Sequence, residues 1–277
     1  MGAMTIRFNV LLKILIPLAL VIAVALAMWG ALITRYGGVS VEVEEMVAKG
    51  RTYYLPLPKF TSGVMVEEAI AWRRSLRDYT KDPISIWKLS MILWAAQGIT
   101  EFRYGFRASP SAGATYPLEV YVVVGERGVK VNETAYLPPG SYKYDCKRHT
   151  LTLVKEGDLR SELAKAALDQ EWVRSAPVDI VICAVYERTT SVYGERGYRY
   201  VYMEVGHVGQ NIYLMATALN LGTVAVGAFY DDWVKNVVGA REGENPLYIM
   251  PVGVPVKPYR VSAEDIASYY RRARSVG

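Results

Sequence analysis

A stripe of apolar residues between positions 199 and 220 constrains the fold of this chain more than any other feature. The stripe recurs every three or four residues, at Val201, Val205, Val208, Ile212, Met215 and Leu219. That spacing matches one face of an α-helix and predicts about six helical turns with a buried side. Arg199, Glu204 and Gln210 interrupt the segment, which argues against a membrane span. We therefore expect a long helix packed inside a domain.

Helices and strands alternate along the rest of the chain. Further helices are predicted at about residues 65–75, 86–97, 158–167 and 262–274, with Ser85, Asp158 and Ser262 as N-caps. Runs of β-branched and aromatic residues predict strands at 118–124, 150–154, 178–185 and 246–255, and either a strand or a ligand-facing segment at 223–229. Because the two kinds of element are interleaved, the sequence predicts an α+β domain.

The N-terminal region carries a second apolar segment of a different kind. Residues 14–33 contain no charged residue, and twenty helical residues span about 30 Å, the thickness of a bilayer core. We expect a transmembrane helix or uncleaved signal anchor within residues 1–35, a tether over 36–62 and a domain over 63–277. A cleaved signal peptide is the alternative, since residues 25–27 form a small-residue cleavage pattern. The apolar run continues past that pattern, which favours the anchor.

The charge of the chain does not indicate a polyanionic partner. The formal net charge is +5, but Arg7, Lys13 and Arg35 flank the apolar segment and the remainder is nearly balanced. Such a small excess gives no reason to expect binding to nucleic acid. Basic residues on both sides of the apolar segment leave the membrane orientation open.

The cysteines and histidines do not form a pattern typical of metal ligands. Cys146 and Cys183 are far apart and form no CxxC, and Cys183 lies in an apolar run that predicts a buried strand. With only His149 and His207 besides, no metal site is expected. His207 is interpreted as a packed helix residue paired with Glu204, one turn earlier.

The sequence RRSLRDY at residues 73–79, called the arginine segment, offers fixed positive charges for an oxyanion. Arg73, Arg74 and Arg77 surround the small hydroxyl donor Ser75. Guanidinium groups donate fork-shaped pairs of hydrogen bonds, and a hydroxyl adds a single one. Arginines at a helix C-terminus are also a common solvated face. The segment is therefore a candidate phosphate site with an ordinary structural alternative.

A run of small residues later in the chain is the second candidate. Pro110, Ser111, Ala112 and Gly113, called the PSAG segment, leave little side-chain bulk over the backbone. A flat ring could approach such a loop closely and hydrogen-bond to main-chain groups. Taken alone, the segment is also an ordinary turn. Phosphate at one segment and a flat ring at the other together suggest a mononucleotide.

Four ordered stretches carry a family resemblance. RRSLRDY, PSAGATYPLEVYVV, EVGHVGQNIYLMATALNLGTVAVGAF and PLYIMPVG together resemble the FMN-dependent nitroreductase superfamily, most closely its SagB-type dehydrogenase branch, over roughly residues 60–258. The resemblance implies a nitroreductase-like α+β fold with a mainly antiparallel central sheet flanked by helices. It also implies a homodimer with FMN at its interface.

The resemblance assigns roles around the flavin phosphate and ring edge. Arg73 and Ser75 match the family's phosphate and ribityl contacts, with Arg74 beside them. Arg77 matches a basic position near the pyrimidine edge, where positive charge would stabilise a reduced, anionic flavin. Gln170 matches an amide that can both donate to and accept from the O4 and N3 edge.

Other roles implied by the resemblance involve the flavin ring and the C-terminal region. The PSAG segment would cover the flavin of the partner subunit. Gly227 and Ala228 match a backbone N–H near flavin N5, although many relatives have glutamate followed by glycine there. Lys257 and Arg260 could add phosphate contacts, or could simply be solvated.

Two further groups are candidates for the substrate side. Tyr198 and Arg199, in YGERGYRY, could orient a substrate or supply a proton, as the equivalent segment lies near the site in SagB-like relatives. A tyrosine-rich stretch also suits a dimer interface. Azoline oxidases of this branch use a lysine and tyrosine pair, and Lys143 between Tyr142 and Tyr144 is the adjacent Lys/Tyr cluster here, without a secure alignment.

The resulting functional prediction is a membrane-tethered, FMN-dependent oxidoreductase that transfers hydride through flavin N5 in a ping-pong mechanism. NAD(P)H would be the donor and a nitro compound, quinone or similar molecule the acceptor. The alternative is a SagB-like dehydrogenase or oxidase of azoline or other peptide heterocycles. A further alternative is a flavin-binding membrane protein without turnover.

Overall fold

A computed structural model of the chain describes residues 46–275. Within that range the chain forms eight helices, ten strands and a short 3₁₀ turn at Ala112–Ala114. The predicted membrane segment at 14–33 and the first part of the predicted tether lie outside the described residues. Among the helices that are described, none combines the length and apolar character needed to cross a bilayer.

The centre of the fold is an eight-stranded sheet. The strands of the chain are β1 Val47–Lys49, β2 Thr52–Tyr54, β3 Ile84–Ser85, β4 Leu118–Val124, β5 Val129–Lys130, β6 Gly140–Asp145, β7 Thr150–Glu156, β8 Val178–Ala184, β9 Gly222–Thr223 and β10 Asn245–Gly253. The large sheet has the order β1-β2-β7-β6-β4-β8-β10-β9, and its neighbouring strands are antiparallel. The short strands β3 and β5 form a separate parallel pair. The predicted mainly antiparallel α+β fold is confirmed.

Strand β8 shows why the sheet is buried on both faces. All seven of its residues are buried, and it pairs with β4 on one side and β10 on the other. Ile180 and Ile182 face one apolar cluster, whereas Val181 and Cys183 face the other. Successive side chains of a strand point to opposite faces, so the apolar run from Ile180 to Ala184 suits a strand covered on both sides, although Asp179 is buried in the same strand.

Helices cover both faces of the sheet. They are α1 Val66–Trp72, α2 Ile86–Gln97, α3 Arg160–Ala166, α4 Glu171–Ser175, α5 Glu187–Tyr193, α6 Arg196–Ala218, α7 Asp231–Val238 and α8 Ala263–Ser275. The predicted long helix is α6, whose apolar stripe packs with α2 on the face that contains Ile180 and Ile182. Helices α3 and α7 cover the other face. Ser85 and Ser262 cap α2 and α8 as predicted, accepting from the Lys88 and Asp265 nitrogens.

The first helix is shorter than the sequence predicts. Helix α1 ends at Trp72, and Arg73 already has an extended backbone with ψ 126°. The chain then runs along β9, where the Leu76 nitrogen donates to the Thr223 oxygen at 3.0 Å. Hydrogen bonding to a distant strand therefore replaces the last predicted helical turn, and the arginine segment lies beyond the helix.

Part of the predicted tether belongs to the sheet. Within residues 36–62, the chain forms the hairpin of β1 and β2, and β2 pairs with β7. Gly50 lies at the turn between them with φ +61°. The prediction missed these strands because each is only three residues long. Residues 223–229, predicted as a strand or a ligand-facing segment, contribute the end of β9 and an isolated bridge between Val226 and Ile249 rather than one continuous strand.

Candidate functional site

The arginine segment lies along the edge of the sheet formed by β9. Ser75 forms a parallel bridge with Thr223, and the Leu76 main chain bonds to the same residue. Arg77 and Ser75 are exposed, whereas Arg73 is half-buried. The backbone attachment therefore holds the hydroxyl and guanidinium groups at the surface, where an oxyanion could reach them.

Tyr213 of α6 fixes the position of this segment. Its hydroxyl lies 2.9 Å from Ser75 Oγ and accepts a hydrogen bond from the Ala225 nitrogen at 2.7 Å. The Arg73 guanidinium carbon lies 5.2 Å from the centre of its ring. When Tyr213 donates to Ser75, the Ser75 hydroxyl hydrogen remains available for an anion. Sequence reasoning missed this residue, because its partner Ser75 lies 138 positions away and no pattern marks the contact.

A second aromatic residue holds Arg77. The Arg77 guanidinium carbon lies 5.2 Å from the centre of the Trp172 ring on α4. Gln170 precedes that helix and donates from Nε2 to the Ala228 oxygen at 3.0 Å and to the Ala167 oxygen at 2.8 Å. Arg77, Gln170 and Ala228 are thereby brought to the same end of the sheet as Ser75.

The hydrogen bonds of Gln170 narrow its predicted role. Both amide hydrogens have carbonyl acceptors, at Ala167 and Ala228. The orientation of the amide follows from these partners, since only NH₂ can donate to carbonyl oxygens. Oε1 is the group left to accept from a ligand. In this arrangement Gln170 could accept from a ring N–H but could not donate to a ring oxygen without losing a bond.

The loop at Gly227 and Ala228 leaves main-chain donors exposed. Val226 pairs with Ile249 in both directions, at 2.8 and 3.0 Å, and the chain then leaves the sheet. Gly227 and Ala228 are both exposed, and their N–H groups have no acceptor among residues 46–275. They could therefore donate to a ligand that lies across this edge.

Arg74 and Arg260 do not join this group. The Arg74 guanidinium carbon lies 3.8 Å from the centre of the Tyr259 ring. Arg260 lies over Trp72 at 4.5 Å and donates to Asn220 Oδ1 at 2.5 Å. Both guanidinium groups therefore stack on aromatic rings between α1 and α8 rather than beside Ser75. Lys257 is exposed.

The PSAG segment adopts a conformation that favours glycine at position 113. Gly113 has φ +58°, and a Cβ there would lie 2.6 Å from Tyr193 Oη. Ser111 Oγ accepts a hydrogen bond from the Tyr116 nitrogen at 2.9 Å, which closes the turn. Thr115 and Thr189 join their hydroxyls at 2.8 Å and tie the segment to α5. The turn is therefore built by local sterics and side-chain hydrogen bonds.

A polar cluster beneath the PSAG segment attaches it to α2 and α6. Asn211 Nδ2 donates to the Ala95 oxygen at 3.1 Å and to Ser109 Oγ at 3.0 Å. Ser109 in turn donates to the Ala96 oxygen at 2.9 Å. Arg107 donates to Gln97 Oε1 at 2.9 Å. These bonds satisfy the C-terminal carbonyl groups of α2 and fix the entry to the segment.

Glu204 of α6 belongs to this cluster and is 3% exposed. Burial raises its pKa to about 7, while Ser111, Arg107 and Gln97 act in the opposite direction. The predicted pairing of His207 with Glu204 is wrong, because Glu204 points into the protein and His207 is exposed. Residues three apart on a helix need not share a burial state when one lies at the edge of the buried face.

Helix α6 separates the two candidate segments within one subunit. Glu204, beside Ser111, and Tyr213, beside Ser75, are nine residues apart, which is about 14 Å along the helix axis. Tyr198 lies about 22 Å from Tyr213 by the same measure. Among the described residues of one subunit, no side-chain hydrogen bond joins the PSAG segment to the arginine segment.

Tyr198 and Arg199 lie at the N-terminal end of α6, near the PSAG segment. The Tyr198 ring lies 5.1 Å from the Tyr186 ring, and Tyr186 contacts Tyr202 at 6.0 Å. Tyr198 and Arg199 are exposed. Within one subunit they are thus far from the arginine segment and form an aromatic surface with α5.

Lys143 and its tyrosine neighbours do not form one cluster. Tyr142 and Tyr144 point into the core beneath α2 and α6, whereas Lys143 points to the opposite face of β6. Lys143 bonds to Glu244 and lies 3.0 Å from Glu119. The sequence-adjacent Lys/Tyr cluster is therefore divided between the two faces of the sheet.

The Lys143 ion pairs lie on the floor of an open cleft of about 840 Å³. Tyr121 donates to Glu244 Oε2 at 2.5 Å, and Arg188 pairs with Glu119 at 2.6 Å. Burial acts to raise the pKa of Glu244, but hydrogen bonds from Lys143, Tyr121 and the Arg241 nitrogen hold that pKa below its usual range. The charged groups of this floor satisfy one another.

Comparison with known proteins agrees with this architecture. Residues 70–254 match the family described as the nitroreductase family. A Methanocaldococcus jannaschii protein described as a nitroreductase is 47% identical over 204 residues, which cover 74% of this chain and 98% of that protein. The trifolitoxin operon protein TfxC of Rhizobium leguminosarum bv. trifolii is 27% identical over 207 residues, which cover 69% of this chain and 56% of that protein. A nitroreductase crystal structure from Ralstonia eutropha JMP134 superposes with a TM-score of 0.64 at 26% identity, covering 77% of this chain and 94% of that one.

Proposed function

The chain belongs to the nitroreductase family, and from this premise we propose that it is an FMN-dependent oxidoreductase. The observation that carries the proposal is the set of donors held at one sheet edge by Tyr213 and Trp172. Arg73, Ser75 and Arg77 provide two guanidinium groups and a hydroxyl within five residues. Such a donor set fits a phosphate joined to a polar ring.

The phosphate would lie at Arg73 and Ser75. The Arg73 guanidinium lies over the Tyr213 ring, and the Ser75 hydroxyl is hydrogen-bonded to the hydroxyl of the same tyrosine. Both groups are supported by a backbone that is bonded to Thr223. Arg74 and Arg260 would contribute positive potential rather than direct bonds, because their guanidinium groups stack on Tyr259 and Trp72.

The ring edge would lie between Arg77, Gln170 and the Gly227–Ala228 loop. Arg77 would stabilise negative charge at the pyrimidine edge, Gln170 Oε1 would accept from a ring N–H, and an exposed main-chain N–H would donate near N5. Bound FMN supplies the chemistry, since its N5 can accept a hydride from one substrate and deliver it to a second in a ping-pong cycle. The protein groups would orient the ring and hold charge beside it.

The PSAG segment would complete the site of a partner subunit. The α6 surface supports a homodimer, because Tyr202 is 54% exposed and Met203 48% exposed on the side of the helix away from the core. In a two-fold dimer the same surface meets its own copy, so each subunit can lend its PSAG segment to the other. Tyr198 and Arg199 would then act in the partner's site, orienting a substrate or supplying a proton.

For the substrates we propose NAD(P)H as donor and a nitro compound, quinone or similar small molecule as acceptor. The alternative, oxidation of an azoline or other peptide heterocycle, is supported by the similarity to a trifolitoxin operon protein. That reaction removes a hydride and a proton from the heterocycle, with oxygen as the final acceptor. Membership of the SagB-type dehydrogenase branch is part of this alternative proposal.

The membrane anchor within residues 1–35 remains part of the proposal. It rests on the uncharged apolar segment at 14–33. Fractionation of the full chain after expression would test it, because an anchored chain stays with the membrane in high salt and carbonate. Recovery of the intact chain in the soluble fraction would contradict the anchor.

Titration with FMN tests the central proposal. The purified chain should bind FMN, and Arg73→Ala should weaken binding by roughly tenfold or more, because a charge-assisted hydrogen bond contributes about 1.5–3 kcal/mol. Arg148→Ala, which removes an exposed guanidinium remote from Ser75, is the matched control. A chain that binds no added FMN would refute the proposal.

Reduction experiments distinguish the remaining alternatives. The FMN-loaded chain would be mixed anaerobically with NADH or NADPH, and bleaching of the flavin absorbance followed by acceptor-dependent recovery indicates turnover. An azoline-containing peptide that loses two hydrogen atoms in air would favour the peptide alternative. Bound FMN that none of these donors reduces would indicate a flavin-binding protein without turnover.

A further inference from the structure

Glu204 is a buried carboxyl group placed directly beneath the PSAG segment. It is 3% exposed and projects from α6 toward Ser111 of the segment and toward Gln97 of α2. Ser111 Oγ is itself the acceptor for the Tyr116 nitrogen that closes the turn. The carboxyl group is therefore next to the atom that shapes the segment.

The hydrogen bonds around Glu204 are incomplete. Among the described residues, neither Glu204 Oε1 nor Gln97 Nε2 has a hydrogen-bond partner of normal geometry, although the two side chains are neighbours. Gln97 cannot turn its amide without loss, because its Oε1 accepts from Arg107 at 2.9 Å. An ionised carboxylate in this position lacks donors for one of its oxygens, which is costly when water is excluded.

A protonated carboxyl suits these surroundings better. Its O–H can donate to Ser111 Oγ, which has a lone pair left after accepting from the Tyr116 nitrogen. The Ser111 hydroxyl can also donate to the ionised carboxylate, so what distinguishes the two forms is the cost of a buried charge rather than this bond. The half-exposed PSAG segment covers the carboxyl group. The ionised form can be hydrated again only if this segment opens.

We propose that Glu204 is a positioning residue whose proton holds the PSAG segment closed, so that closure over a bound flavin takes up a proton. The inference rests on the proposed function, because its first test measures FMN binding. It adds a role for a residue that forms no hydrogen bond with the arginine segment or with Gly227 and Ala228 within residues 46–275. The residue acts through Ser111, not on the flavin.

The groups that face Glu204 define the pH range. Arg107, from the loop after α2, is the charged group of the described chain that acts on it, while Gln97 and Ser111 face it as neutral side chains. Burial outweighs these three and raises the pKa to about 7. In an open, hydrated segment the pKa would return toward its ordinary value of about 4.3. Closure should therefore weaken as pH rises between about 5 and 7 and change little above that range.

The test compares FMN affinity with pH in two full-length proteins. Glu204→Gln keeps the shape of the protonated acid but cannot ionise. The ratio of wild-type Kd to Glu204→Gln Kd should rise by up to about tenfold per pH unit from pH 5 to pH 7 and then level off. Titration of the FMN phosphate cancels in this ratio. Glu242→Gln, an exposed acid on the loop after α7, should give a constant ratio.

The outcomes separate this inference from the proposed function. A ratio that stays constant with pH while both proteins bind FMN would overturn the role of Glu204. Failure of both proteins to bind FMN at any pH would instead refute the proposed function.

Hydrogen exchange of the wild-type chain provides a readout without flavin or substitution. The Tyr116 amide, bonded to Ser111 Oγ, should lose protection between pH 5 and pH 7 after correction for the intrinsic exchange rate. Unchanged protection across that range would overturn the inference even if Glu204→Gln did not fold.

Discussion

Tyr213 Oη lies 2.9 Å from Ser75 Oγ, joining the middle of the long helix α6 to the arginine segment. The same oxygen accepts from the Ala225 nitrogen at 2.7 Å. One phenol therefore positions both the proposed phosphate donor and the segment that leads to Gly227 and Ala228.

Replacement of Tyr213 by phenylalanine should weaken FMN binding while leaving the fold intact. The variant loses the hydroxyl that orients Ser75, a contribution of about 1 kcal/mol, or roughly fivefold in Kd. Quenching of flavin fluorescence measures the change. Tyr136→Phe, which removes a hydroxyl that accepts from the exposed Arg127, is the control and should bind normally. Equal affinities of the two variants would show that Tyr213 does not position the donor.

Replacement of Gly113 by alanine should disturb the PSAG segment in two ways. The positive φ costs an alanine about 1 kcal/mol, and the new methyl group would also clash with Tyr193 Oη. Gly105→Ala separates these effects, because Gly105 has φ +72° with open space around it. We expect Gly113→Ala to lower the melting temperature and FMN affinity more than Gly105→Ala does. Identical losses would assign the whole effect to backbone strain.

Glu204→Gln should change the pH dependence of stability. A carboxyl whose pKa is raised on folding destabilises the folded state as pH rises from its unfolded value through its folded value. With a folded pKa of about 7, the wild type should lose up to about 3 kcal/mol between pH 4.5 and pH 7 relative to the glutamine variant. Urea unfolding at several pH values measures this difference. A difference that is the same at pH 4.5 and pH 7.5 would contradict the raised pKa.

Lys143→Met should destabilise the fold without changing FMN affinity. The substitution leaves Glu119 and Glu244 without their shared cation, which typically costs about 3 kcal/mol for a buried pair. Because the pKa of Glu244 is lowered in the folded protein, the loss should be largest above pH 5 and shrink as the carboxyl groups are protonated. Denaturant unfolding at pH 4 and pH 7 tests the sign. A loss of FMN binding in the folded variant would place Lys143 in the flavin site instead.

The sequence predicted the elements whose burial is encoded locally. The apolar stripe of α6 and the apolar run of β8 after Asp179 are each visible in the local sequence, and both elements lie where they were predicted. The end of α1 was not predictable in this way, because it depends on hydrogen bonding of Leu76 to Thr223. Strands β1 and β2 are too short to show alternation.

Some residues of the candidate site are likewise visible in the local sequence, whereas others are recognised only from the fold. The arginine segment and the PSAG segment are visible as unusual local compositions. Tyr213 and Trp172, which hold the arginines, are ordinary aromatic residues until the fold places them beside Arg73 and Arg77. The separation of Lys143 from Tyr142 and Tyr144 likewise follows from β6 being a strand, whose successive side chains diverge.

The nine-residue interval between Glu204 and Tyr213 limits how this gene can vary. A single inserted or deleted codon there would rotate one residue relative to the other by about 100° and shift it by about 1.5 Å. Glu204 would then no longer face Ser111 while Tyr213 still faced Ser75. Length variation among descendants of this chain should therefore be absent from the middle of α6 and tolerated in surface turns such as that at Gly50, where the backbone is exposed.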